Sequence, residues 1–291
     1  MRFSCIHTHT TFCDGDDDVE TYCRRAFEKG LVSLGFSAHA PISKKTGIKT
    51  SWHLAEERLD EYLDAVRSAQ KRWEGKLPVY VGLEVDFIPG LTGPADYRQM
   101  GLDFIIGAVH YVIPGRGKPF TVDDPAEDVI RSINEIYGGD ALGMVQAYWD
   151  SQQAMILAGG FDVLAHPDLV KKNNALREDG KKSLFCEDDV SYRESTAAIA
   201  ALMSQAGIPA EINSGGMNRG KTKDCYPSHG FLKLFRQQGV PMVINADAHC
   251  ANHLDGHYED ARQSLLAAGY TETLLFQGRE NGQALWEKQE L

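Results

Sequence analysis

The chain has 291 residues, 43% hydrophobic and 24% charged, so a full core can form and general disorder is excluded. Thirty lysines and arginines against 41 aspartates and glutamates leave a formal charge of −11, which excludes a long basic face for polymeric nucleic acid and argues against an anionic membrane. No apolar run nears the roughly 20 residues of a membrane span, the opening MRFSCIHTHTTF lacks a signal-peptide stretch, and the six cysteines (5, 13, 23, 186, 225, 250) form no CxxC pair, so a reduced, cytoplasmic protein is expected.

In chain order, Phe3–Ile6 predicts a first strand and Val19–Lys29 a helix stopped by Gly30. Val32–Phe36 reads as a second strand, and a helical pattern runs from about Leu54 to Trp73. Val79–Leu83 and Phe104–Val109, rich in β-branched residues between turn signals, predict two more strands. Helices are expected at Ala126–Tyr137 and Met144–Ala158, then strand Val163–Ala165, helix Ser191–Gln205, strand Ala210–Ile212, helix Phe231–Gln237 and strand Met242–Asn245. Helix Tyr258–Ala268 and a last strand Thr273–Phe276 complete the pattern. Seven or eight strand–helix units with no linker or repeat argue for an α/β fold in one domain over residues 1–291. That number of units in a chain of this length favours a closed barrel. Residues 38–53 and 168–188 read as long loops.

The chemistry-bearing residues follow the strands. The first strand runs into His7-Thr8-His9, with Asp14 in the next turn; the second ends near His39, the third at Glu84 and Asp86, the fourth at His110. Val163–Ala165 delivers His166, and Met242–Asn245 delivers Asp247-Ala248-His249. Residues two apart in a strand share a face, so HxH and DxH each aim two groups at one place. A lone histidine after a strand is ordinarily a hydrogen-bonded structural residue. So many imidazoles and carboxylates at the same topological point instead predict a multinuclear metal site, since such groups repel or lack solvation unless cations bind them, and the donor set suits Zn, Mn or Fe.

The segments HTHTTFCDG, GFSAHAP, GLEVDFI, DFIIGAVHYV, LAHPDLVKK, EINSGG and INADAH, in this order, resemble the PHP (polymerase and histidinol phosphatase) family. FCDG, HAP, GAVHY and HPDLVKK are most similar to its histidinol-phosphate phosphatase branch. The resemblance implies a distorted (β/α)7, TIM-like barrel with up to three divalent metal ions at the C-terminal ends of its strands. It implies that His7, His9, Glu84 and Asp247 hold one metal, that Glu84 bridges to a second on His110 and His166, and that Asp14, His39 and His249 hold a third. The activity implied is hydrolysis of L-histidinol phosphate to L-histidinol and phosphate in histidine biosynthesis, by a hydroxide bridging two metals. Asp247 or His249 is then expected to pass a proton to the leaving alkoxide.

Candidate substrate-binding residues are Lys171 and Lys172 after His166, Arg177 and Arg219 in loops, and Asn213, whose Asn-Ser-Gly-Gly segment offers backbone amides to a phosphate. Trp52 and His53 are expected in a lid, Cys13 and Cys250 as wall residues, and His253 and His257 as a surface pair. Two rival readings remain: a PHP phosphoesterase acting on small nucleotides or oligonucleotide ends, and a non-catalytic metal-binding accessory domain. A small phosphorylated substrate is the expected partner.

Overall fold

In the computed structural model, which describes residues 1–115, 119–175 and 183–291, seven strands run parallel and in chain order. They are β1 (Ser4–Cys5), β2 (Ser33–Phe36), β3 (Val79–Asp86), β4 (Phe104–Ala108) and, after a small hairpin of β5 (Tyr111–Val112) and β6 (Phe120–Thr121), β7 (Val163–Leu164), β8 (Ala210–Asn213) and β9 (Met242–Asn245). β10 (Glu272–Glu280) continues parallel on β9, and β11 (Gln283–Glu290) folds back antiparallel at the edge. The helices are α1 (Val19–Glu28), α2 (Leu59–Trp73), α3 (Ala126–Tyr137), α4 (Ala141–Ala158), α5 (Lys172–Ala175), α6 (Val190–Ala206), α7 (Gly215–Asn218), α8 (His229–Gln238) and α9 (Tyr258–Ala267). None among the described residues is long and apolar enough to cross a membrane.

Local chemistry explains the elements. Asp18 caps α1 by accepting from Thr21 N at 2.7 Å, and Val19, Tyr22, Cys23 and Ala26 form the buried stripe of a 3.6-residue period. In the sheet the period is two. Along β4, Phe104, Ile106 and Ala108 enter an inner cluster with Ile6, Val163 and Phe276, and the next step of two is His110. Ile105 faces the opposite way, into the layer between sheet and helices. Gly82 makes room for the inner column: a Cβ there would lie 2.5 Å from the Phe104 ring.

The strand ladder does not close on itself. Among the described residues β1 and β9 share no ladder: an isolated bridge links Thr8 and Ala248, with His9 N donating to Ala248 O at 2.9 Å and Ala248 N to His7 O at 3.0 Å, and Ile6 N donates to Asn245 Oδ1 at 3.1 Å. The expected closed barrel is thus, at the level of hydrogen bonding, a mostly parallel nine-stranded sheet. The reason is local: β1 is two residues long, and the chain leaves β9 through Asp247 at φ 48°, so neither edge extends a regular ladder.

The last strand is longer than expected and returns as β11. Arg279, on β10, pairs with Asp162, whose carboxylate also accepts from Ile105 N at 2.8 Å and Arg98 Nη1 at 3.1 Å. Arg279 Nε donates to Asp103 O at 2.9 Å, and Thr273 Oγ1 donates to Met242 O at 2.9 Å. Asp103, Asp162 and Met242 stand at the starts of β4, β7 and β9, so the β10–β11 hairpin covers the N-terminal ends of the strands. Their C-terminal ends are left for the site.

Candidate metal centre and its pocket

Every one of the nine ligand-type residues reaches the same end of the sheet. His7 and His9 follow β1, His39 follows β2, Glu84 lies in β3, and His110 and His166 follow β4 and β7. Asp247 and His249 follow β9, and the turn after β1 brings Asp14 across. The left-handed backbone at Asp247, a conformation that aspartate tolerates, turns its side chain inward; a Cβ on Gly215 would lie 2.7 Å from Asp247 Cβ, so only glycine fits beside it.

The donor atoms crowd together. Glu84 Oε2 lies 3.2 Å from His7 Nε2, 3.5 Å from His9 Nε2 and 2.9 Å from His39 Nδ1. Its other oxygen is 2.9 Å from His166 Nε2 and 3.7 Å from His110 Nε2. Asp247 Oδ1 is 3.2 Å from His9 Nε2 and 3.7 Å from His7 Nε2. Asp14 Oδ1 is 3.7 Å from both His9 Nδ1 and His39 Nε2, and its Oδ2 is 3.2 Å from His249 Nε2. Four sets of ligand atoms fall within 4.8 Å of one another: His9, Asp14, His39 and His249; His7, His166 and Asp247; His7, His9 and Glu84; His39, Glu84 and His110.

The donor set fits divalent cations on two observations. His7 Nε2, His9 Nε2, Asp14 Oδ1, His39 Nδ1 and Glu84 Oε2 are buried without a hydrogen-bond partner, an expensive arrangement for a polar atom unless something else satisfies it. The electrostatics agree. Burial, reinforced by His39 and His249, pushes His9 down to about 3, so it is a neutral imidazole with a lone pair to give. Burial opposes the charge on Glu84, yet His39, His7 and His110 hold it well below the usual carboxylate range.

Behind these groups lies a supporting layer of two carboxylates, of which sequence reasoning named Asp86 and missed Glu211. Glu211, in β8 and fully buried, accepts from His166 N at 2.8 Å, Asn213 Nδ2 at 2.7 Å and Asn245 Nδ2 at 2.9 Å, and its Oε2 is 2.9 Å from His7 Nδ1. Its carboxylate assigns the Nδ1 proton of His7 and leaves Nε2 facing Glu84. Asp86 does the same for His110, 2.9 Å from its Nδ1, and also holds His53 Nε2 at 2.8 Å. The signal for Glu211 was a charge inside an otherwise apolar strand, two residues before Asn213 and so on the same face.

The candidate substrate-binding residues divide. Arg219 lines the cavity, with Nη1 3.3 Å from His249 Nε2 and Nη2 3.7 Å from Asp247 Oδ2. Its Nε is buried without a partner; burial works against the guanidinium charge, but Asp247, Asp123 and Asp14 keep it firmly protonated. Lys172 donates to the carboxylate of Asp123, a lining residue, at 2.6 Å. Lys171 does not reach the cavity: its ammonium is bound to Cys225 O at 3.0 Å and lies 3.2 Å from Asp168, which anchors it in the wall behind. Asn213 is fully buried and spends its side chain on Glu211 and on Gly215 N (2.8 Å), a support rather than a phosphate contact. Arg177 lies outside the described residues. Trp52 lines the cavity beside His39, ring centroids 4.5 Å apart, whereas His53 is buried between Asp86 and Thr50 and belongs to the floor, not to a lid. Cys13 packs beside His9, its Sγ 3.6 Å from Nδ1, and neither it nor Cys250 lines the cavity as a wall residue. The cavity these groups enclose measures about 170 Å³.

A mostly parallel α/β sheet carries these clusters at its strand ends. Residues 6–215 match the PHP domain, and the chain belongs to the PHP family. Among curated proteins it is similar to a probable histidinol-phosphatase of Deinococcus radiodurans, 26% identical over 90% of this chain and 92% of that one. It is also similar to the histidinol-phosphatase of Bacillus subtilis, at 24% over 87% of this chain and 96% of the relative. Among solved structures, a candidate histidinol phosphatase of Listeria monocytogenes superposes with a TM-score of 0.75 at 23% identity, covering 88% of this chain and 99% of its own. The histidinol phosphate phosphatase of Lactococcus lactis, complexed with Zn, L-histidinol and phosphate, gives 0.64 at 17%, covering 97% and 98%.

Proposed function

We propose that the protein is a metal-dependent phosphomonoesterase that hydrolyses L-histidinol phosphate to L-histidinol and phosphate. The observation that carries this reading is the convergence of buried, unpartnered imidazole and carboxylate atoms beside the Arg219 guanidinium in one small cavity. The near full-length likeness to proteins named histidinol-phosphatases supports the choice of leaving group.

Up to three divalent ions, Zn, Mn or Fe, suit a site of nitrogen and oxygen donors alone. His7, His9, Glu84 and Asp247 would hold one; Glu84, His110 and His166 a second; and Asp14, His39 and His249 a third. The bridging role of Glu84 is supported by its two oxygens, one facing His7 and His9, the other His166. Such ions supply Lewis-acid stabilisation of charge on phosphoryl oxygens and lower the pKa of water at the site.

The protein's own groups do the rest. Arg219 grips the phosphate, a charge-assisted contact suited to a planar guanidinium. Glu211 and Asp86 fix the tautomers of His7 and His110, so their lone pairs are oriented before substrate arrives. Asp247 Oδ1 faces His7 and His9, while Oδ2 faces Arg219 and the cavity. Oδ2 takes the proton of the attacking water and returns it to the departing alkoxide. His249, with Nδ1 on the Asp247 carbonyl at 3.0 Å, keeps Nε2 as an acceptor and serves as ligand first, with the proton as its alternative role.

The reading extends to the whole chain: one domain over residues 1–291, a distorted (β/α)7 barrel, and a cytoplasmic location. The seven parallel strands in chain order and the Thr8–Ala248 bridge between the outermost two support the barrel. The acidic balance and the cysteines, all free among the described residues, support the location. The test is kcat/KM for L-histidinol phosphate, small nucleotides and an aryl phosphate on one preparation. L-Histidinol phosphate is expected to lead by tenfold or more; a nucleotide leading by tenfold overturns the substrate.

A further inference from the structure

The inner cavity, about 170 Å³, is smaller than the roughly 300–1,000 Å³ of a typical small-molecule site, so it takes the phosphate and not the whole ester. Trp52, Thr121 and Asp124 also line an open groove of about 770 Å³ that begins where the cavity ends. The leaving alcohol of any phosphomonoester seated at the metal cluster therefore has to pass Asp124 to reach that groove.

Three features single out Asp124 at this junction. It is half-buried yet forms no ion pair among the described residues, because the neighbouring Lys172 ammonium is committed to Asp123 at 2.6 Å. Burial, with Asp128 and Asp123 close by, pushes its carboxyl above the usual range against the opposing pull of Lys172. The walls beside it are aromatic: Trp52 and Tyr111 lie nearly parallel, with centroids 5.9 Å apart and 10° between planes, and Phe120 lines the same groove. The groove's one cation among the described residues is the exposed Lys49. The cavity that opens on Asp124 is also lined by Glu84, whose buried, unpartnered Oε2 faces His7, His9 and His39 and so fixes the phosphate end of a substrate at that cluster.

We propose that the Asp124 carboxylate accepts a protonated amine carried by the leaving alcohol, and that the site thereby selects amino-alcohol phosphates over neutral esters of equal size. The anionic end of the substrate lies at Arg219 and its cationic end at Asp124, with the chain between them against Trp52. This assignment rests on the phosphatase reading above and names the group that determines specificity within it.

The experiment compares L-histidinol phosphate with imidazolylpropyl phosphate, which keeps the ring and phosphate and lacks the amine, on wild-type enzyme and on Asp124→Asn and Asp124→Glu. The readout is the ratio of the two kcat/KM values, which does not depend on how much of a variant is folded. Wild type is expected to favour the amine, Asp124→Asn to lower that ratio about tenfold, as loss of a charged hydrogen bond does, and Asp124→Glu to keep the ratio above that of the Asn variant. An unchanged ratio in Asp124→Asn overturns the proposal, as does a wild type indifferent to the amine. A wild type that prefers nucleotides, yet whose amine-to-neutral ratio still collapses in Asp124→Asn, overturns the substrate reading and leaves Asp124 in its role.

Discussion

Two buried carboxylates that do not line the cavity, Glu211 and Asp86, set the orientation of the imidazoles that face the centre. Glu211 is the clearest: fully buried, it meets His7 Nδ1 and three N–H donors, and burial is offset by His7 and those hydrogen bonds so that its carboxyl stays below its usual range. Glu211→Gln keeps the shape but removes the charge that holds the Nδ1 proton, so metal affinity should fall about 10- to 100-fold, measured by competition with a chelating dye. Unchanged affinity would reduce Glu211 to a packing role. Asp247 is tested at the same scale. Asp247→Asn is nearly isosteric, but the amide accepts no proton and binds metal weakly, so kcat should fall about 10²–10⁴-fold and stay low after metal is restored to wild-type stoichiometry. A fully loaded variant with near-normal kcat would move the proton to His249.

At the scale of elements, the alternation of short apolar runs with amphipathic stretches made most of the fold legible. Ala126–Tyr137 and Met242–Asn245 begin and end where the pattern puts them, because left-handed Gly138 stops the helix and the strand is buried throughout. α2 starts later than its pattern, at Leu59, since Glu56–Arg58 form a 3-10 turn before it. The β10–β11 hairpin was missed although Asn281-Gly282 supplies two positive-φ residues, the signature of a tight hairpin. β11 is polar and alternates weakly in burial, so periodicity had little to register. The convergence of the nine ligand-type residues was legible because strand ends converge by topology. Glu211 was not, since its partners come from β1, β7 and β9, and Lys171 misled because its neighbour in sequence, Asp168, proved to be its anchor in space. The hairpin's own attachment is testable. Asp162 compensates Arg98 and Arg279 in a nearly buried setting, so Asp162→Ala should cost about 3–5 kcal/mol of stability by urea unfolding. A loss below about 1 kcal/mol would mean that the hairpin is held by Phe276 and its ring contacts instead.

For the whole molecule, the two ends of the sheet do different work. The N-terminal end is packed with Phe104, Ile6, Val163 and Phe276 under the hairpin, and the C-terminal end carries the imidazoles, carboxylates and Arg219. A chain of net charge −11 could receive an anionic ester because the local charge at the cavity would be set by the proposed ions and by Arg219, not by the global balance. The C-terminal end of the sheet is proposed as a metal-dependent phosphatase centre. Its most direct test is phosphate release from L-histidinol phosphate by chelator-stripped protein as Zn, Mn or Fe is added back. Release should be negligible without metal and should return to a level that saturates at no more than about three ions per chain, the number proposed for the site. Full activity in metal-free protein, or none after full loading, would contradict it.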